Sequence, residues 1–499
     1  MLSTIYPLSF LVSLSGLILW FYHVDDRQKS RLMSQLFLGG FFVYLFSLAY
    51  SDGEFSYKLL ILFRDLVVLG VVSQFFSFFK RNKALFFLMM AILYGGFFFK
   101  YFGVMANTFP QAPPSKITIL LDSEGELLVE LKEGHQLSEL QAAMNQFDIK
   151  AKRAFQPEKA DITLLDNYYV LDVPEGEDLH TIAAALHKTG AVEWLEENEQ
   201  IQLDPSESEA VSVQRRPGKK PKYKLNDPDI NKQWGLDAMG ADRLYRYLDQ
   251  ANLQPQQKAS IFILDTGVDA KHEDLKDNYK SIKSRYDTDP AGHGTHCAGI
   301  AAAVTNNGKG IASLNMDNQF VEVTSIKVLA AFGGGTQKGI INGIIEAADK
   351  GAAVISMSLG GPSNRSRQRA YQKAVEYANK AGAIVVVAAG NSSSNAKNYT
   401  PANAPGVITV SAIDTTLNKA HFSNWVSDLE MGIAAPGVKI YSTLPNDKYA
   451  FYNGTSMATP YVAGLLGLMK SLKPEITTQE AYDLLHKHGK DTKDTELTG

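Results

Sequence analysis

The chain has 499 residues, 45% hydrophobic and 20% charged, and a formal net charge of −4. That length holds more than one unit, and so neutral a balance gives no support to nucleic-acid binding. Residues 1–105 carry nine Lys+Arg, five Asp+Glu and 18 of the 26 Phe, which excludes a wholly soluble protein, while the single cysteine, Cys297, excludes an intramolecular disulfide framework and a cysteine-based metal cluster.

In chain order, residues 1–106 read as a region of four transmembrane helices, with apolar runs at 5–24, 32–50, 59–79 and 84–99, each close to the length that crosses a bilayer core. Arg64 and Asp65 lie inside the third run, where charges pair or face neighbouring helices. Basic residues gather in the first loop (Arg27, Lys29, Arg31) and the third (Lys80, Arg81, Lys83), against Lys58 alone in the second. The positive-inside rule puts loops one and three in the cytoplasm and everything after Phe99 on the extracytoplasmic side. A cleaved signal peptide does not suit the first run, which lacks a basic start and is followed by further spans.

Residues 107–115 form a stiff Pro-rich linker with Pro110, Pro113 and Pro114. Residues 116–204 read as a small α+β domain: an alternating stretch at 117–131, a helix near 137–147, a strand at 162–173, a helix at 179–188 and a closing strand at 192–203. Residues 205–225 are a polar linker with a basic run through Arg215, Arg216, Lys219, Lys220, Lys222 and Lys224, exposed and easily cut. In residues 226–499, strands at 259–264, 321–329, 354–357 and 384–388 alternate with helices at 338–350, 367–381 and 459–472. This alternation argues an α/β fold with a parallel sheet covered by helices on both faces.

Three segments carry chemistry. Residues 261–264 form an apolar strand that delivers Asp265 just before Thr266 and Gly267. Gly292 and Gly294 flank His293 and let backbone approach the ring, as a catalytic base requires. His296 and Cys297, in the same run, read as packing residues, and two histidines three apart without a nearby Glu do not make the familiar zinc pattern. The third segment, Asn453-Gly-Thr-Ser456-Met-Ala-Thr-Pro460, opens an apolar helix. Pro460 is expected in its first turn, and Ser456 sits where N–H groups and the helix dipole favour developing negative charge.

Together these segments resemble the three signatures of the subtilisin-like serine proteases, in the order Asp, His, Ser, over residues 226 to about 490. The resemblance implies that Ser456 is the nucleophile, His293 the general base and then acid, and Asp265 the carboxylate that orients His293. It implies an oxyanion-hole amide at Asn391, at the end of the strand 384–388. It further implies two substrate-pairing edges, Gly333, Gly334, Gly335 and Ser358, Leu359, Gly360, with Ala389 and Gly390 as pocket wall. Tyr399 is a candidate for narrowing that pocket. A structural calcium ion is implied at Asp274, Asn307 and Asp227; catalysis itself needs no cofactor. The small domain resembles the family's inhibitory propeptide, an intramolecular inhibitor whose tail lies in the active site of a zymogen. Relatives usually continue past the end of this chain into a closing element.

The expected function is therefore a membrane-anchored serine endopeptidase acting on polypeptides through a Ser456 ester. One rival is a catalytically silent peptide-binding or sensory protein, against which all four functional residues stand. The other is an intramembrane enzyme, for which Asp65 alone supplies no pair.

Overall fold

A computed structural model describes residues 2–49, 55–77, 85–86, 125–203, 225–363 and 369–498. Most of the fourth apolar run, the Pro-rich linker, the start of the alternating stretch and the basic linker lie outside the described residues. The chain divides into two units, residues 1–121 and 122–499.

The first unit contains α1 (Leu2–Tyr22), α2 (Arg27–Ala49) and α3 (Phe55–Ser77). Small residues let α1 and α2 approach backbone to backbone: a Cβ on Gly16 would stand 2.5 Å from Phe37 N, and one on Gly40 2.9 Å from Ser13 N. Across α2 and α3, Tyr44 donates to Asp65 Oδ2 at 3.0 Å while Arg64 Nε donates to Asp65 Oδ1 at 2.9 Å. Ser9, Ser13, Ser47, Asp65 and Ser73 are buried, whereas Phe42 and Phe63 are 71% and 68% exposed. This inverts the usual soluble pattern. The expected count of four spans is not reached among the described residues: one stretch, Arg27–Leu48, is long and apolar enough to cross a membrane, and Ser9–Tyr22 is apolar but shorter. α3 carries the Arg64 and Asp65 charges that lower its hydropathy.

In the second unit, β1 (Leu127–Leu131), the short helix α4 (Gln141–Gln146), β2 (Lys150–Arg153), β3 (Tyr168–Asp172), α5 (Leu179–Lys188) and β4 (Val192–Glu197) build the small domain. Its sheet is antiparallel in the order β2-β3-β1-β4. The N-terminus of α5 is capped by Asp178, which accepts from His180 N and Thr181 N. The expected closing strand is broken at residues 198–199, and its second half, β5 (Gln200–Gln202), leaves the small domain altogether.

The larger part is built on a six-stranded parallel sheet. Its members are β6 (Ala259–Asp265), β7 (Val321–Lys327), β9 (Val354–Met357), β10 (Ile384–Ala388), β11 (Val407–Ile413) and β12 (Gly432–Pro436), with the short β8 (Gly334–Thr336) outside it. The order is β12-β11-β10-β9-β6-β7. Alternation along β6 sends Ile261 and Ile263 into one core with Cys297, Ala298, Met457 and Tyr461, and Phe262 and Leu264 into the other with Ile340, Ile344, Tyr371 and Ala374. The helices α6 (His293–Ala302) and α9 (Thr455–Leu472) thus cover one face, and α7 (Gln337–Asp349) and α8 (Arg369–Lys380) cover the other. Phe155, Tyr168 and Val170 of the small domain join that second core. The last helical turn, Thr495–Thr498, packs on the β12 side, where Leu497 O accepts from Val426 N at 3.0 Å.

Candidate active site

Asp265 is the last residue of β6 and His293 the first of α6, and the fold sets their side chains together. His293 Nδ1 lies 2.8 Å from Asp265 Oδ1 and 2.9 Å from Oδ2, with Asp265 fully buried and His293 6% exposed. Because Nδ1–H donates to the carboxylate, Nε2 keeps its lone pair. Burial pulls the His293 pKa down, but the charge and hydrogen bond of Asp265 and the charge of Asp289 outweigh it, so the net shift is upward. The close approach needs glycine: a Cβ on Gly294 would stand 2.1 Å from Gly267 O.

Ser456 lies in the first turn of α9, whose leading N–H groups have no intrahelical acceptor. The helix begins four residues earlier than expected, so Pro460 stands inside it and not in its first turn. A proline there removes the N–H that would pair with the carbonyl four residues back. That carbonyl is Ser456 O, and it is held instead by Ser358 Oγ at 2.8 Å and Cys297 Sγ at 3.4 Å. The Ser456 hydroxyl donates to Ser358 O at 3.2 Å; among the described residues no hydrogen bond joins it to His293. Contacts of this kind commonly tighten only with substrate present.

Asn391 follows β10 with a fixed amide. Its Oδ1 accepts from Thr455 N and Thr455 Oγ1, both at 2.9 Å, which turns Nδ2 away from Thr455. A Cβ on Gly454 would lie 3.6 Å from both Asn391 Nδ2 and Ser456 N, so two donors flank one small space beside the nucleophile. Gly454 has φ +150°, and a side chain there would intrude on that space.

The two edges are placed differently. The first is occupied: β5 pairs antiparallel with β8, Gln200 opposite Thr336, Ile201 opposite Gly335 and Gln202 opposite Gly334, and Leu203 N donates to Gly333 O at 2.9 Å. Of the second, Ser358 contacts the nucleophile's backbone and Leu359 is buried, while Gly360 has φ +158° and a Cβ there would stand 2.9 Å from Thr400 O. Ala389 and Gly390 do not offer free backbone groups. Ala389 N donates to Val410 O, Asn424 Nδ2 to Ala389 O, Gly390 N to Thr455 Oγ1 and Asn424 N to Gly390 O. Their part in a pocket wall is steric.

The four residues that hold this machinery escape sequence reading: Thr455, Asn424, Thr266 and Asp289. Thr455 and Thr266 adjoin Ser456 and Asp265, Asp289 lies four residues before His293, and Asn424 has no such signal. His296 and Cys297 are fully buried; burial pushes His296 down to about 3 and the Cys297 thiol well up, so neither is charged near neutrality.

At the implied metal position, Asp274 and Asp227 are both buried. Asp274 accepts from Ile311 N at 2.7 Å and Asn307 Nδ2 at 2.8 Å, and Asp227 accepts from Asn306 N at 2.9 Å. Burial pushes Asp274 up to about 7, with the charge of Asp227 adding to it, and burial also raises Asp227. Two buried carboxylates, each disfavoured as an anion, are oxygen donors that suit a hard divalent cation, while Asn307 turns its Nδ2 to Asp274 and its Oδ1 to Lys309 N.

A family model described as the Subtilase family matches residues 256–498. Over 255 residues the chain is 42% identical to thermitase of Thermoactinomyces vulgaris, covering 50% of this chain and 86% of that protein. The chain belongs to the subtilase family. Subtilisin DY of Bacillus licheniformis is 39% identical over 259 residues, 50% of this chain and 89% of that one. A solved cold adapted subtilisin-like serine proteinase aligns at 31% identity over 48% of this chain and 86% of its own, with a TM-score of 0.42. As a subtilase the protein is a serine endopeptidase, a hydrolase of peptide bonds, and its relatives imply polypeptide substrates.

Proposed function

We propose that this subtilase works through Ser456, His293, Asp265 and Asn391, is made with its inhibitor in place, and is anchored in a membrane. The observation that carries the catalytic reading is the buried Asp265–His293 pair beside a helix that opens on Ser456. Ser456 Oγ attacks the scissile carbonyl and gives its proton to His293 Nε2. Asn391 Nδ2 and Ser456 N–H receive the oxyanion, and His293 then protonates the departing amine. A fluorophosphonate probe should label the chain at Ser456 and not label Ser456→Ala; labelling of both at equal rate would discard the assignment.

The pairing of β5 with β8 supports self-inhibition, because a substrate strand would need the edge that the chain's own segment fills. A cut in the linker 205–225, by the enzyme itself or by another protease, would leave the small domain holding the catalytic part only through contacts, and loss of that domain would release it. Membrane anchoring is supported by the exposed apolar side chains of Phe42, Phe46, Phe63 and Phe75, and the loop charges favour an extracytoplasmic peptidase. Asp274, Asn307 and Asp227 would hold a calcium ion, which when bound ties the loop 305–311 to the body of the fold and takes no part in the reaction.

A further inference from the structure

Asp289 stands four residues before His293 and is 4% exposed. Its oxygens are fully engaged: Oδ1 accepts from Thr266 Oγ1 at 2.8 Å, Ala291 N at 3.1 Å and Gly292 N at 2.9 Å, and Oδ2 from Thr295 N at 2.8 Å and Thr295 Oγ1 at 2.7 Å. The turn that launches His293 is therefore wrapped round one carboxyl group. Thr266 joins this group to the catalytic pair, since its hydroxyl also lies 3.2 Å from Asp265 Oδ1 and accepts from Gly294 N at 3.1 Å.

We propose that Asp289 is a positioning residue for His293: it fixes the turn from which the imidazole leaves and sets a second acidic group at the base of that turn. The inference rests on His293 being the general base. When the Ser456 Oγ–C bond forms, the hydroxyl proton moves to Nε2, and the imidazole carries a positive charge until that proton passes to the leaving amine. During this interval Asp289 acts together with Asp265, in a buried setting where charge is weakly screened. His296 and Cys297, on the same helix, are neutral for the reasons given above and do not offset Asp265 and Asp289. The upward shift of His293 has the sign that this arrangement requires.

The test is the pH profile of kcat/KM for a peptide substrate, measured on wild type and on Asp289→Asn, each expressed as the whole chain and assayed once active. Removing the acidic group should lower the His293 pKa, so the acid limb should move to lower pH by roughly half a unit or more. The plateau should fall far less than on loss of a triad member. A purely structural role would reduce stability and leave the limb in place. Should Asp289→Asn not fold, Asp289→Ser retains a capping acceptor without the charge and must show the same shift. An unmoved limb in a folded variant overturns the assignment of Asp289. If His293→Ala keeps wild-type turnover, the base reading fails instead.

Discussion

The two units of this chain solve opposite problems. In residues 1–121 the small and polar side chains Ser13, Ser47, Tyr44 and Asp65 are buried and Phe42, Phe46 and Phe63 face out. Among the described residues of the second unit the exposed large apolar side chains are Tyr247, Phe332, Leu484 and Leu497, and buried Asp265, Thr266, Asp289 and Thr295 form a bonded network round the active site. Each unit draws its specificity from a different source. In an apolar surround, helices select one another by close backbone approach and interhelical hydrogen bonds. In water, apolar burial supplies the driving force, and buried polar groups are freed for positioning work.

If catalysis belongs wholly to the second unit, the largest effects come from its triad. Ser456→Ala and His293→Ala should each cost on the order of 10⁶ in kcat, a magnitude carried over from subtilisin, a relative of this chain, and the double variant little more. Deleting residues 1–121 should leave kcat on a soluble peptide unchanged, as progress curves of the two proteins would reveal. A large loss on that deletion would break the comparison.

Asn391→Ala should lower kcat by roughly 10²–10³ with little change in KM, again by analogy with subtilisin. Equal losses in Thr455→Val would sharpen the view that Thr455 acts by turning the amide.

A smaller effect is expected where the small domain meets the catalytic helices. Glu196 is buried there and accepts from Gln337 Nε2 at 3.0 Å, Trp194 Nε1 at 3.0 Å and Ala370 N at 3.3 Å. Burial pushes its carboxyl up to about 7, the nearby Glu130 adding to the shift. A carboxyl raised in the contact takes up a proton on association. Binding should therefore be tightest below the ordinary carboxylate range and weaken as pH rises to 7, by on the order of tenfold to a hundredfold. Co-elution of the two parts after the linker is nicked, compared from pH 4.5 to 8, measures this, and Glu196→Gln should flatten the curve.

The smallest effect probes the first unit. Gly40→Val should loosen the α1–α2 contact, because backbone of α1 occupies the space, whereas Gly39→Val should be tolerated, with nothing within 4 Å of its Cβ. Thermal aggregation of the detergent-extracted protein should separate the two variants. Identical midpoints would argue that α1 and α2 are not packed through Gly40.

Much of the site could be read in the sequence because its chemistry is packed into contiguous runs. Asp265, His293 and Ser456 each sit at the junction of an apolar element with a glycine turn, and such junctions are local. β6, β9 and β10 could be read for the same reason, being short apolar runs bounded by turns. The neighbouring strands β11 and β12, at one end of the sheet, were not, and neither was the start of α9 at Thr455, where Gly454 and Thr455 carry no helical pattern. Position along the chain placed β5 at the end of a strand, but only the fold reveals that it crosses to β8. No one-dimensional pattern tells which edge a polar strand will pair with.

Residue type and period alone carried the class of enzyme, the parallel α/β core and the apolar character of the first unit, whereas its inverted polarity emerged only with the packed helices. The tertiary structure alone decided what holds the reactive groups: Thr455 on Asn391, Ser358 and Cys297 on the carbonyl left free by Pro460, and Asp289 round the His293 turn. Each of these is a hydrogen bond of defined direction, and most join residues far apart in the chain. Direction and distance become defined only once the backbone is folded.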